Sequence, residues 1–302
     1  MEGVRAVTVL APARSFLSLV KVEHSVFALP FAYLAALTAM AQRDRHVHFA
    51  TLGLVTVAMV GARTFAMAAN RIIDRRIDAG NPRTAGRELV TGAVSVRNAW
   101  LGALVALAVF LGAAALLNPL CLALSPLAVL PLVVYPYGKR FTNWPHAILA
   151  LAQMVGPVGA WLAVTGTVRG SAPAWVLGAA VGLWIGGFDL IYATQDVEVD
   201  RRIGVHSVPA RYGVRFALYA STGAHVLTFA LFVGYGILVG FGPAWWLGLL
   251  LTAGAFAYEH AIVKPDDLSR VNRAFFTANG FVGIALFVFA LIDLVGHLGL
   301  RA

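Results

Sequence analysis

The stretch NRIIDRRID, residues 70–78, places five charged side chains in nine positions of a 302-residue chain in which Asp, Glu, Lys and Arg together make up only 12%. It follows directly on residues 50–69, an apolar run whose only charged residue is Arg63. An apolar run of about 20 residues is what a helix needs to cross roughly 30 Å of hydrocarbon, so a burst of charge at its end reads as the helix emerging into water. Composition agrees. The chain is 60% hydrophobic with a mean hydropathy of +0.79, above the apolar share of about 45–50% in soluble domains. The sequence predicts an all-α membrane protein.

Working outward, apolar windows of spanning length fall at 22–41, 50–70, 98–117, 120–136, 144–166, 174–195, 215–240, 244–262 and 273–297. The expectation is nine transmembrane helices in a bundle. Arg5 and Arg14 precede an apolar run with no small-residue cleavage site, so the first helix is expected to be retained. Lys and Arg divide unevenly between the two sets of loops, 18 against 4. The excess side, which includes Arg71, Arg75, Arg76, Arg83, Arg87, Lys139, Arg140, Arg201 and Arg202, is expected to be cytoplasmic. That places the N-terminus and the charged stretch inside, and the C-terminus outside, a bacterial plasma membrane. The net charge of +9 is dispersed among apolar spans, so it signals topology and not nucleic-acid binding. Cys121 stands alone, which excludes a disulfide framework or a Cys-based metal site.

On a helix, Asn70, Asp74 and Asp78 stack on one face, four residues apart. Like charges at that spacing repel unless a cation bridges them. Hard divalent ions such as Mg²⁺ favour such oxygens, although Arg71, Arg75 and Arg76 on adjacent faces could neutralise the row without metal. A second stretch, YATQDVEVDRRIG at 192–204, repeats the rhythm: Tyr192, Asp196 and Asp200 are spaced by four, and an Arg-Arg pair follows. Asp74 and Asp78 match Asp196 and Asp200 at one offset of 122 residues. Both rows are expected at the same membrane face, after even-numbered spans. This suggests pseudo-repeats at about 20–136 and 144–262, plus a ninth helix at about 273–297, around a central cavity open to the cytoplasmic side. Carboxylates converging from both halves can hold two Mg²⁺ ions and, through them, a diphosphate, with Arg71, Arg83, Arg87, Lys139 and Arg140 as the remaining anion clamp.

The pairing of N-x-x-x-D-x-x-x-D at 70–78 with D-x-x-x-D at 196–200, inside nine expected helices, resembles the UbiA superfamily of intramembrane prenyltransferases. NRIIDRRIDAGNPRTAGREL and DLIYATQDVEVDRRIGVHSVPARYG are similar to its 4-hydroxybenzoate polyprenyltransferase group. They are most similar to the branch of menaquinone formation by the futalosine route, whose acceptor is 1,4-dihydroxy-6-naphthoate. The resemblance implies Mg²⁺ held by Asp74, Asp78, Asp196 and Asp200 with Asn70, and a polyprenyl diphosphate and an aromatic acid as substrates. The prenyl group would pass to a ring carbon with loss of diphosphate, in ubiquinone or menaquinone biosynthesis. No obligate protein partner is implied. The second row departs from the first in carrying Tyr192 where Asn70 stands, so Tyr192 is assigned to the diphosphate or to the allylic cation.

Ionisable groups at membrane depth are costly and usually face a cavity or a partner. Arg63, two turns deeper than Asn70 on the same face, is a candidate for the acceptor's carboxylate, with a salt bridge to Asp189 as the alternative. His24, near the start of the first span, is a second candidate for acceptor contact or ring-proton removal. Asn279 and Phe188 are read as packing residues, and His206 and Ser207 as part of a loop near the site. A transporter with a duplicated acidic cation site is the competing reading. Carriers, however, place their binding residues near the bilayer midplane, and these carboxylates lie at one face.

Overall fold

A lipid-facing chain must satisfy its backbone polar groups internally, and the abundant Ala, Leu and Val of the spans do so as helices. In the computed structural model, which describes residues 19 and 29–302, the elements are α1 (Leu29–Arg43), α2 (Phe49–Gly80), α3 (Glu88–Thr91), α4 (Val96–Leu117), α5 (Pro119–Gly138) and α6 (Pro145–Thr165). They continue as α7 (Ala172–Tyr192), α8 (Val197–Ile203), α9 (Val208–Tyr212), α10 (Val214–Val239), α11 (Pro243–Ile262), α12 (Val271–Arg273) and α13 (Asn279–Gly296). A 3₁₀ turn (Ala193–Asp196) joins α7 to α8, and a π-helical turn (Ala274–Ala278) joins α12 to α13. Among the described residues no strand forms.

Seven runs are long and apolar enough to cross a membrane: Phe49–Gly80, Val96–Leu117, Pro119–Gly138, Pro145–Thr165, Ala172–Ile203, Val214–Val239 and Val271–Gly296. Two of the nine expected spans stand apart. The first, at 22–41, begins outside the described residues, and α1 covers its later part with 15 residues. The eighth forms α11, but Tyr258, Glu259 and His260 in its last turns dilute the apolar run.

Small residues let the helices approach closely, the usual device where lipid removes the hydrophobic drive between helices. Gly61 of α2 lies so near α4 that an added Cβ would meet Phe110 N at 2.9 Å and Ala106 O at 3.0 Å. α2, which ends in the first acidic row, packs on α4, and α7, which leads into the second acidic stretch, packs on α10. α1 runs through the centre with Phe31, Ala32 and residues 34–41 buried, against a core that includes Trp184, Trp245, Tyr235 and Phe232. Leu101, Leu104, Leu127, Leu250 and other large apolar side chains face outward, as a bilayer-facing surface requires. Asn118 ties the short α4–α5 turn to the end of α6: its Oδ1 caps Cys121 N at 2.9 Å, and its Nδ2 donates to the carbonyls of Leu162 and Ala163.

The C-terminal residues lie at the end where α1 turns into α2. Arg301 N donates to Arg45 O, and Val47 N donates to Arg301 O, both at 2.8 Å. α2 runs from that end to the other, where its acidic row finishes.

Candidate active site at one end of the bundle

Because α2 is unbroken over 32 residues, the expected stacking of Asn70, Asp74 and Asp78 is realised. Asp74 is completely buried. Asn70 Nδ2 donates to its Oδ2 at 3.4 Å, Lys139 Nζ lies 2.6 Å from Oδ2, and an Arg140 guanidinium nitrogen lies 3.2 Å from Oδ1. Arg140 is itself fixed by donating to the carbonyls of Pro136 and Ile73 at 2.9 and 2.7 Å. Asp78 is paired with Arg87 at 2.6 Å. The row is therefore neutralised, but not by the arginines beside it. Arg75 donates to Leu89 O at 2.9 Å, Arg76 is exposed, and Arg71 is buried with its Nε unpartnered among the described residues. The reason is geometric: neighbours one or two positions along a helix point away from an i, i+4 row, so its cations arrive from the loops after α2 and α5.

The second row departs from the expected rhythm. Tyr192 ends α7, and residues 193–196 wind as a 3₁₀ turn before α8 resumes the α-helix. Thr194 Oγ1 donates to Ile191 O at 2.7 Å, a local side-chain bond that competes with the helical ladder. At three residues per turn the register rotates, so Tyr192, Asp196 and Asp200 do not form one straight row. Asp196 accepts from Asn81 Nδ2 at 2.9 Å and from Arg83 Nε at 3.0 Å, with a second Arg83 nitrogen at 2.5 Å from its other oxygen. Arg83 also donates to Tyr192 OH at 3.0 Å and lies over the Tyr192 ring at 5.1 Å. Burial works against its charge, yet the hydrogen bonds and charge of Asp196 hold the Arg83 guanidinium above the usual arginine value. Asp200, also buried, accepts from Ser207 Oγ at 3.0 Å.

The loop after α2 thus reaches the end of α7 through Asn81 and Arg83. His206 N donates to Lys139 O at 2.9 Å, joining the loop after α8 to the loop after α5. Both acidic stretches and every cation expected to clamp an anion except Arg71 lie at a single end of the bundle, in separate ion pairs whose loops are joined by these bonds. Asn81 was not singled out from sequence, although its place just before Pro82 and three residues after Asp78 was a signal.

Deeper in the bundle, the alternative salt bridge between Arg63 and Asp189 does not form. Asp189 pairs with His146 Nδ1 at 2.6 Å, because His146 enters at the start of α6, the helix packed against α7. Arg63 Nε is buried without a partner among the described residues. Phe188 is a packing residue, edge-on to Trp184 and Phe275 with ring centroids at 5.5 and 5.1 Å, and Phe275 continues to Tyr192 at 4.5 Å. Asn279 is also structural, accepting from Trp184 Nε1 at 2.7 Å and donating to the buried Glu259 at 3.2 Å. His24 lies outside the described residues.

Among the described residues no three acidic or histidine side chains come together as a metal site; each carboxylate is held by the chain's own donors. The donor chemistry nonetheless fits a hard divalent cation. Four carboxylates and the amides of Asn70 and Asn81 supply only oxygen ligands. The carboxylates also sit in surroundings that demand cationic compensation, as the Lys and Arg heads already against them demonstrate.

The profile of the UbiA prenyltransferase family matches residues 28–281. A 4-hydroxybenzoate octaprenyltransferase of Azotobacter vinelandii is 33% identical over 251 residues, 82% of this chain and 81% of the relative. Another, of Paraburkholderia phytofirmans, is 31% identical over 276 residues, 90% and 94% of the two chains. The fold matches the apo structure of a UbiA homolog from Aeropyrum pernix with a TM-score of 0.82 and 36% identity, over 90% of this chain and 98% of that one. It also matches a UbiA homolog from Archaeoglobus fulgidus bound to DMAPP and Mg²⁺, with a TM-score of 0.70 and 20% identity over 93% and 99%.

Proposed function

The chain belongs to the UbiA prenyltransferase family, and from that premise we propose that it carries out Mg²⁺-dependent transfer of a polyprenyl group from polyprenyl diphosphate to a ring carbon of an aromatic acid. The acceptor is 4-hydroxybenzoate or 1,4-dihydroxy-6-naphthoate, the product a precursor of ubiquinone or menaquinone, and diphosphate is released. The observation that carries this reading is the bond from Asn81 and Arg83 to Asp196, which joins the loop after the first acidic stretch to the second stretch. The curated relatives named for 4-hydroxybenzoate support the aromatic acid. The motif stretches at 70–89 and 189–213 support the naphthoate branch.

In this reading Asp74, Asp78, Asp196 and Asp200, with Asn70, would hold Mg²⁺, which when bound offsets diphosphate charge and stabilises the departing oxygen. The remaining steps belong to the protein. Lys139, Arg140, Arg87 and Arg83, whose heads already cluster there, donate to the diphosphate oxygens. Arg71, buried beside them with its Nε unpartnered, adds another donor. Charge-assisted forks of this kind suit phosphate. The face of Tyr192 stabilises positive charge at the allylic carbon. Arg63, with Nε unpartnered at depth, takes the acceptor's carboxylate. The polyprenyl tail lies in the bilayer, which it favours by about 0.8 kcal/mol per CH₂. The charged mouth faces the cytoplasm, in keeping with the Lys and Arg excess of its loops.

The test uses membranes containing the full chain, given a polyprenyl diphosphate and either aromatic acid, with diphosphate release and prenylated product measured together. Acceptor-dependent release with at least one acid, lost on chelation and restored by Mg²⁺, is the expected result. No acceptor-dependent release with either acid, while vesicles carrying the protein move a cation, overturns the proposal in favour of a transporter.

A further inference from the structure

Asp189 and His146 have no part in the diphosphate chemistry, yet they form the closest carboxylate–imidazole pair inside the membrane-spanning region among the described residues, at 2.6 Å. The two partners differ in access. The His146 side chain is 5% exposed and that of Asp189 21%. His146 is thus enclosed, with Nε2 buried and unpartnered, while its Nδ1 holds Asp189 Oδ2. Asp189 Oδ1 carries no hydrogen bond among the described residues. An ion pair built only to staple α6 to α7 would use both oxygens and close them off, since a carboxylate left partly open at this depth is costly. This one presents an oxygen.

Its position says to what. Asp189 precedes Asp196 by seven residues, as Arg63 precedes Asn70. Arg63, however, lies 11 residues before Asp74, whereas Asp189 lies seven before Asp196, the counterpart of Asp74, so Arg63 stands about one helical turn, roughly 5 Å, deeper than Asp189. An aromatic acid whose carboxylate meets Arg63 would have its ring between that arginine and Asp189.

We propose that Asp189 is the base that removes the ring proton in the prenyl transfer, with His146 as its positioning residue. The inference rests on the reading of the site given above. The ring carbon bonds to the allylic carbon as the allylic C–O bond breaks, and diphosphate leaves with that electron pair. The C–H pair of the alkylated carbon then returns to the ring, and the proton passes to Asp189 Oδ1. His146 Nδ1–H keeps its bond to Oδ2 throughout and so aims the accepting oxygen. The proton leaves afterwards with water that enters as the product departs. No oxidant or further reactant is needed.

The experiment compares membranes of wild type, Asp189→Asn, Asp189→Glu and His146→Gln, with acceptor carrying hydrogen or deuterium at the reacting carbon. General-base removal typically costs about 10²–10⁴-fold. Asp189→Asn is expected to slow product formation to that degree and to expose a normal isotope effect that wild type lacks, because proton loss becomes rate-limiting. Asp189→Glu should recover part of the rate, and His146→Gln, which can still donate to the carboxylate, should show a smaller loss with an isotope effect in the same direction. Wild-type rates in Asp189→Asn, or slow rates that are equal for hydrogen and deuterium, overturn the assignment, the latter marking a residue that binds or folds and does not take the proton. Absence of transfer by wild type to either acid instead sinks the underlying function.

Discussion

The two acidic stretches look like copies in one dimension and behave differently in three. The first lies on an unbroken helix, and its Asp74 and Asp78 are met by Lys139, Arg140 and Arg87. The second is wound through a 3₁₀ turn, and its Asp196 and Asp200 are met by Arg83 and by neutral donors from Asn81 and Ser207. Three cations serve the first pair and one serves the second. A duplicated motif therefore need not yield two equivalent half-sites. The first row is neutralised by the chain's own cations, buried and fixed, whereas the second has one cation for two carboxylates. Electrostatics in a low-dielectric setting amplify that difference.

The largest break in this comparison comes from Asp74→Ala. It strips Lys139 and Arg140 of their shared partner and removes the most deeply buried carboxylate of the site. Loss of one preorganised electrostatic group commonly costs about 10²–10³-fold, and acceptor-dependent diphosphate release is expected to fall by at least that much. Activity within tenfold of wild type would show that the first row is structural only.

Asp200→Asn sharpens the comparison. With one cation for two carboxylates, the second row is expected to set the demand for Mg²⁺. Halving its charge should raise the Mg²⁺ concentration for half-maximal product formation by about ten- to a hundredfold, the scale on which metal sites respond to altered ligand surroundings. Asp78→Asn, beside Arg87, should raise it less. Equal shifts in both variants would show that the two rows share the ion symmetrically despite their different partners.

The smallest effect tests the 3₁₀ turn. Thr194→Val removes the bond to Ile191 O while keeping the side-chain volume. A buried intramolecular hydrogen bond contributes about 0.5–1.5 kcal/mol. Thermal unfolding in detergent should register a loss of that size, together with a modest rise in Mg²⁺ requirement as the turn relaxes toward an α-helix. An unchanged midpoint and an unchanged Mg²⁺ requirement would mean that the 3₁₀ turn does not depend on Thr194.

How much of this was legible beforehand follows from which forces are local. Apolar runs of spanning length, and their termination in charge, report burial in lipid residue by residue, and the helices fall where those runs are. The 70–78 row was readable because residues 68–78 contain no helix breaker and fourfold spacing has one outcome on a helix. The 192–200 stretch departs from that rule because residues 193–196 wind as a 3₁₀ turn, where Thr194 bonds the Ile191 carbonyl, and no periodicity count registers such a turn. The partners of the carboxylates were readable only as types. Lys139, Arg140, Arg83 and Arg87 stood out as cations near an anion site, but which head meets which oxygen depends on where the loops after α2, α5 and α8 converge.

The sequence by itself determined that this protein is a bundle of membrane-crossing helices carrying two acidic helix ends, because hydropathy and helical period act over neighbouring residues. Only the tertiary structure decided that Asn81 and Arg83 strap the loop after α2 to Asp196, that Asp189 turns to His146 and not to Arg63, and that the two rows differ in charge balance. Those choices are made by side chains far apart in the chain that share one low-dielectric space. There each buried charge must find its counterpart or pay in desolvation.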